Sequence, residues 1–157
     1  MNEIPVPELT PLKGHREVQT QLKEAVERGR LHHSLLLHGS KGIGKSKLAL
    51  FIAAWLVSGR EQTSNLFADE GSAGTNIWEV DAQDAEARLV FSHTHPDVLH
   101  ISAQHGEDNK SGQIKTETLR KVKQFLSQTP ARTQWRIVII DSLDEVNITG
   151  ANAMLKT

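Results

Sequence analysis

Cysteine is absent from the 157 residues, which excludes a disulfide framework, a thiol nucleophile and any cysteine-ligated zinc. An excess of either charge is also missing. The 18 basic and 19 acidic residues leave a net charge of −1, so the composition gives no support to autonomous, charge-driven DNA binding. The longest strongly apolar stretch, Leu48 to Val57, is too short to span a bilayer. Met1 to Pro11 carries Glu3, Glu8 and three prolines where a signal peptide needs positive charge followed by an apolar run. Internal repeats and homopolymeric tracts are lacking too. These absences lead us to expect a cytoplasmic protein with no membrane partner. Hydrophobic residues make up 38%, and with the 11 glycines the share reaches about 45%, enough for one modest domain with a packed core.

Residues 1–13 hold Pro5, Pro7 and Pro11 and are expected to form an irregular arm. From His15 to Arg28, the spacing of Val18, Leu22, Ala25 and Val26 predicts a helix stopped by Gly29. Ser34-Leu35-Leu36-Leu37-His38, bounded by Gly39, reads as a buried parallel strand. Lys45 to Val57 is apolar on most faces, as expected of a helix buried against a sheet. Residues 58–95 turn polar and acidic and read as an insertion with one helix near Asp81 to Val90. A second strand is predicted over Asp97 to Ile101, followed by a polar turn from Ala103 to Gly112. Thr116 is expected to cap a helix whose Leu119, Val122 and Leu126 share one face, with Pro130 beyond its end. Arg136 to Ile140 is the most β-branched run and the clearest strand, ended by Asp141. Alternating strands and helices predict an α/β layered domain over 1–157.

The residues that carry chemistry begin at Gly39-Ser40-Lys41-Gly42-Ile43-Gly44-Lys45-Ser46, a full match to the phosphate-binding loop pattern. The pattern lies between a predicted strand and a predicted helix. Backbone amides there can converge on phosphate oxygens near the positive end of the helix dipole. Lys45 is expected to reach the β- and γ-phosphates and the Ser46 hydroxyl to ligate magnesium, which makes ATP and Mg2+ the expected cofactors. Asp141, at the carboxyl edge of a parallel strand, is the second expected magnesium ligand. Hydrolysis also needs a group that orients or deprotonates water. Ser142 follows Asp141 and is a poor base, which leaves Asp144 and Glu145 as the candidates for that role.

Several segments together resemble a known family. Arg30-Leu31-His32-His33-Ser34, the phosphate loop, His95-Pro96-Asp97, the strand before Asp141, and Asn152-Ala153-Met154-Leu155-Lys156-Thr157 occur in the order and spacing of bacterial DNA polymerase III clamp-loader subunits. These belong to the AAA+ family, and the chain is more similar to the delta-prime type than to the tau/gamma type. The resemblance implies a P-loop NTPase fold of AAA+ RecA-like form, a parallel sheet flanked by helices. It also implies an ATP-driven assembly that places a sliding clamp on primed DNA, with tau/gamma and delta subunits, the clamp and the DNA as partners. Tau/gamma and many delta-prime subunits carry a four-cysteine zinc module, which this sequence cannot build, so no zinc is expected. Tau/gamma also has Glu where Ser142 stands. The family's sensor strand lies between the phosphate-loop strand and the Asp141 strand and would follow residue 157. The resemblance therefore implies a C-terminally truncated domain, with Leu35–Leu37 and Ile137–Ile140 not directly paired.

Other signals have plainer readings. The eight histidines show no ligand spacing for a metal, and His33 is expected beneath the loop. Trp55, Trp78 and Trp135 are too scattered for a stacking platform, so core packing is expected. Glu79, Asp81, Asp84 and Glu86 read as a solvated helix face, with a basic partner as the alternative. Three functions compete: an assembly subunit that binds ATP with weak or no hydrolysis, a competent ATPase motor using Asp144 or Glu145, and a small-molecule kinase on the same loop.

Overall fold

The computed structural model describes residues 14, 16–59, 80–81, 83–102, 114 and 116–146, without the side chains of 116, 117, 119 and 145. The arm at 1–13, the turn at 103–112, most of the 58–95 insertion including Trp78, and the motif at 152–157 lie outside the described residues. The chain divides into two compact units, Met1–Ser92 and His93–Thr157.

The first unit is helical: α1 Arg16–Glu27, α2 Lys45–Val57 and α3 Ala85–Phe91. Helix α1 stops where its sequence predicts. The Arg30 amide bonds back to Ala25 O and the Gly29 amide to Val26 O, at 2.7 and 2.8 Å, so that Gly29 closes the last turn. Its buried line differs from the expected one. Gln19 and Val26 are buried whereas Val18 is 44% exposed. Gln19 donates Nε2 to Gly14 O at 2.6 Å, which offsets part of the cost of burying its amide. Helix α2 is buried along Phe51–Val57 and packs on α3, where Ala87 and Val90 face inward and Phe91 meets Phe51 edge-on, with ring centroids 5.1 Å apart. Trp55 is a core residue, as expected. In the acidic cluster, Asp84 caps α3 by accepting the Ala87 amide at 2.9 Å, and Asp81 accepts the Gln83 amide at 2.9 Å.

Residues 34–38 correct one expectation. They run without strand pairing, with Leu35 and Leu36 exposed by 43% and 76%. A strand exists only through a partner for its ladder, and an apolar run alone does not supply one. Among the described residues none pairs with this segment, and the Ser34 amide turns locally to His32 Nδ1 at 3.2 Å. His33 is likewise exposed, its ring tilted against that of His32 at 4.2 Å, and not packed beneath the loop.

The second unit is a β-α-β arrangement. Strand β1 (Val98–Ser102) pairs in parallel with β2 (Ile137–Asp141), and α4 (Thr116–Leu126) between them packs on β1. The register runs from Val98 opposite Ile137 to Ser102 opposite Asp141. Ile101, Ile114 and Val122 form the core, with Leu99, Val138, Ile140 and Val146 against it. Leu126, expected on the same face as Val122, is 46% exposed at the helix end.

The register is fixed from one point. Asp97, directly before β1, has no exposed surface, and its carboxylate accepts the backbone amides of Ala131, Arg132 and Thr133 at 2.6, 2.8 and 3.0 Å. Its own carbonyl accepts the Ile137 amide at 2.9 Å, which starts the ladder with β2. Arg136 holds the other side. Its guanidinium donates to the carbonyls of Pro96, Gln128 and Thr129, lies 4.4 Å above the Phe125 ring and stands 3.8 Å from Asp97 Oδ1.

Burial alone raises the Asp97 pKa, but the amides of Ala131, Arg132 and Thr133, and then Arg136, outweigh it and hold the carboxyl below its ordinary 3.8. The unfolded chain therefore takes up this proton first as pH falls. The stabilisation is present above pH 3.8 and is lost as pH falls through the lower folded value. Asp97→Asn, which cannot accept from all these amides, is expected to cost about 2–4 kcal/mol at pH 7 in urea unfolding and to flatten the acid limb. A variant as stable as the parent would contradict this network.

Candidate nucleotide site

Residues 39–44 form a turn leading into α2, and the helix begins at Lys45 as predicted. Gly44 is its N-cap, with φ 94°, a left-handed conformation that a side chain would strain. A glycine also has no side-chain oxygen to offer the first turn. Ser, Thr, Asp or Asn would satisfy one of those amides from within. The Leu48 amide closes on the carbonyl of Gly44 at 2.9 Å, the first rung of the helix, and the N-cap adds no side-chain bond to the turn before it. The first turn contains no acidic residue, and its sequence is Lys45-Ser46-Lys47. Cations at the positive end of a helix dipole are unfavourable unless an anion joins them.

Lys45 folds across the loop. Its Nζ donates to Gly39 O and Ser40 O, both at 2.9 Å, so the ammonium ties the start of the loop to its end. Ser46 is half-buried in the first turn, beside the lysine. The structure thus brings Gly39, Ser40, Lys41, Gly42, Ile43, Gly44, Lys45 and Ser46 together around one helix terminus.

Asp141 belongs to the second unit. It ends β2 half-buried, with Ser102 opposite it at the same carboxyl edge of the sheet. Ser142 continues in an extended conformation, φ −110° and ψ 146°, into a short turn over Leu143–Glu145. Asp144 is exposed on that turn, and the side chain of Glu145 lies outside the described residues. Among the described residues, no cluster of three or more His, Cys, Asp or Glu is placed to hold a metal ion. No described helix is long and apolar enough to cross a membrane.

The sequence reading passed over two residues that position this edge. In the sequence Asp97 closes His95-Pro96-Asp97 and Arg136 opens a predicted strand, neither with a role of its own. The one local signal was an ionisable residue flanking each apolar strand, and such residues more often merely begin a turn.

The family model described as DNA polymerase III, delta subunit, matches residues 14–157. The chain belongs to this DNA polymerase III delta-subunit family. It is 28% identical over 139 residues to the delta-prime subunit of Bacillus subtilis and 28% identical over 125 residues to that of Pseudomonas aeruginosa. These matches cover 88% and 80% of this chain. It is also 26% identical over 144 residues, 92% of this chain, to the tau subunit of Salmonella typhimurium. The matched parts make up 36%, 33% and 19% of those relatives, so the chain spans about a third of the first two and a fifth of the third. The delta-prime-like resemblance read from the sequence is borne out, and the parallel sheet with its helices fits the AAA+ phosphate-loop fold of this DNA polymerase III family.

Lys45→Ala removes both carbonyl bonds from a partly exposed loop. It is expected to cost less than about 1 kcal/mol in thermal or urea unfolding, because neutral partners in reach of water recover their hydrogen bonds. A global loss of helical circular dichroism would mean that the lysine is a structural strut and not a group held ready for an anion.

Proposed function

We propose that the chain is a delta-prime-like clamp-loader subunit of DNA polymerase III that binds ATP through Gly39–Ser46, hydrolyses it weakly or not at all, and acts mainly by assembly. Its partners on this reading are tau/gamma and delta subunits, a sliding clamp and, through the assembly, primed DNA. The observation that carries the nucleotide reading is the start of α2. A lysine lies across the loop, no acid stands in the first turn, and the N-cap is a glycine that offers no side-chain oxygen. That combination selects a polyanion.

The Ser46 hydroxyl of the first unit and the Asp141 carboxylate of the second are each oxygen ligands of the kind magnesium takes, alongside phosphate and water. Magnesium accompanying the nucleotide would neutralise charge on its phosphates. What the chain's own residues supply is placement: Lys45 draws the terminal phosphates, and the α2 amides fix their orientation. Ser142 supports weak hydrolysis, since a hydroxyl does not deprotonate water at neutral pH. Asp144, on an exposed turn, and Glu145 beside it are the candidate substitutes for the missing base.

Titration of the purified chain with labelled ATP and magnesium, with ADP followed in the same tubes, tests this reading. Saturable binding without turnover, lost in Lys45→Ala, is the expected result. Turnover that disappears in Lys45→Ala would move the reading to an ATPase motor, and an absence of binding would remove the nucleotide role.

A further inference from the structure

Ile43 is the one large apolar side chain in the phosphate loop, 38% exposed among glycines, serines and lysines. It does not point away from the protein. Its Cδ1 lies 2.6 Å from where a Cβ on Gly39 would stand, so the side chain rests over the bare backbone of the loop's first residue. Gly39, at φ 149°, takes a conformation that side chains rarely adopt and leaves that space open. On the same stretch, Lys45 Nζ holds the carbonyls of Gly39 and Ser40. The loop is thus closed by two crossings, one apolar and one polar.

We infer that Ile43 is a positioning residue: by folding across Gly39, it holds the phosphate loop in its binding conformation before nucleotide arrives. This rests on the nucleotide reading of the loop. A segment with glycine at 39, 42 and 44 has large conformational freedom, and ordering it on binding weakens affinity. Isoleucine, stiff at χ1, restricts that freedom without donating or accepting a hydrogen bond. The effect acts through the fraction of loops that are binding-competent. It therefore appears in the association rate and is the same for any ligand carrying the phosphate chain.

The test is stopped-flow binding of a fluorescent ATP analogue with magnesium to the full chain, with ADP and inorganic tripolyphosphate as competitors. Ile43→Ala is expected to lower the association rate about threefold to tenfold with the dissociation rate unchanged, and to weaken all three ligands by the same factor. Ile43→Val, which removes only the methyl over Gly39, should fall between parent and alanine. The thermal midpoint of the unliganded chain should stay near that of the parent. Gly39→Ala, whose Cβ displaces the isoleucine methyl and whose backbone is strained at φ 149°, should also lose affinity. Parent binding that Ile43→Ala leaves unchanged would overturn this inference alone, as would a change confined to the dissociation rate. A parent that binds no nucleotide, in the assay where Lys45→Ala is the negative control, would overturn the nucleotide reading and this inference with it.

Discussion

A carboxylate with no exposed surface must take its hydrogen bonds from the protein, and Asp97 takes them from consecutive amides more than thirty residues further along the chain. That arrangement joins the residue before β1 to the loop before β2. Once the amides of 131–133 converge on the Asp97 side chain and the Ile137 amide meets its carbonyl, the pairing of Val98 with Ile137 is set. A slip of one residue would turn every side chain of β2 to the other face and orphan a buried carboxylate, so no other register competes. Arg136 reinforces this by tying Pro96 to the carbonyls that follow α4. The same register, at the far end of the ladder, sets Asp141 at the carboxyl edge opposite Ser102, where the proposed reading places a magnesium ligand.

The first unit is organised by a different imbalance. Helix α2 buries its apolar length against α3, but begins with lysines and without an acid or a side-chain cap. Tertiary packing tolerates that unfavourable start, since most helix stability in proteins comes from the buried face. The exposed terminus is then free to be built for an anion. In the second unit the Asp97 network secures the strand, and Ser142, a poor base, follows Asp141 in extended conformation. On the proposed reading, a subunit that holds nucleotide without turning it over keeps the binding elements and lacks the base.

Much of this was legible in the sequence because it is local. The limits of α2 follow from a glycine loop, an apolar run and a change to polar residues; β2 follows from four consecutive β-branched residues; and the loop is a contiguous pattern. What was misread depends on partners elsewhere. The Leu35–Leu37 run has strand composition, yet pairs with nothing among the described residues. Gln19 is buried in place of Val18 because it finds Gly14 O, a bond that no periodicity encodes. The role of Asp97 could not be read because its acceptor capacity is met by amides, which every residue type except proline carries. Ile43 looked like one variable position of a motif until the space above Gly39 was seen to hold it.

Amide hydrogen exchange, residue by residue, with and without saturating magnesium and ATP, tests the account most directly. The amides of Ala131, Arg132 and Thr133 should be protected in both states, because the Asp97 carboxylate holds them. Those of the loop and first turn of α2, residues 40–47, should slow only when nucleotide is present. Exchange at 131–133 at the rate of an unstructured chain, or a loop whose exchange ignores saturating nucleotide, would contradict it.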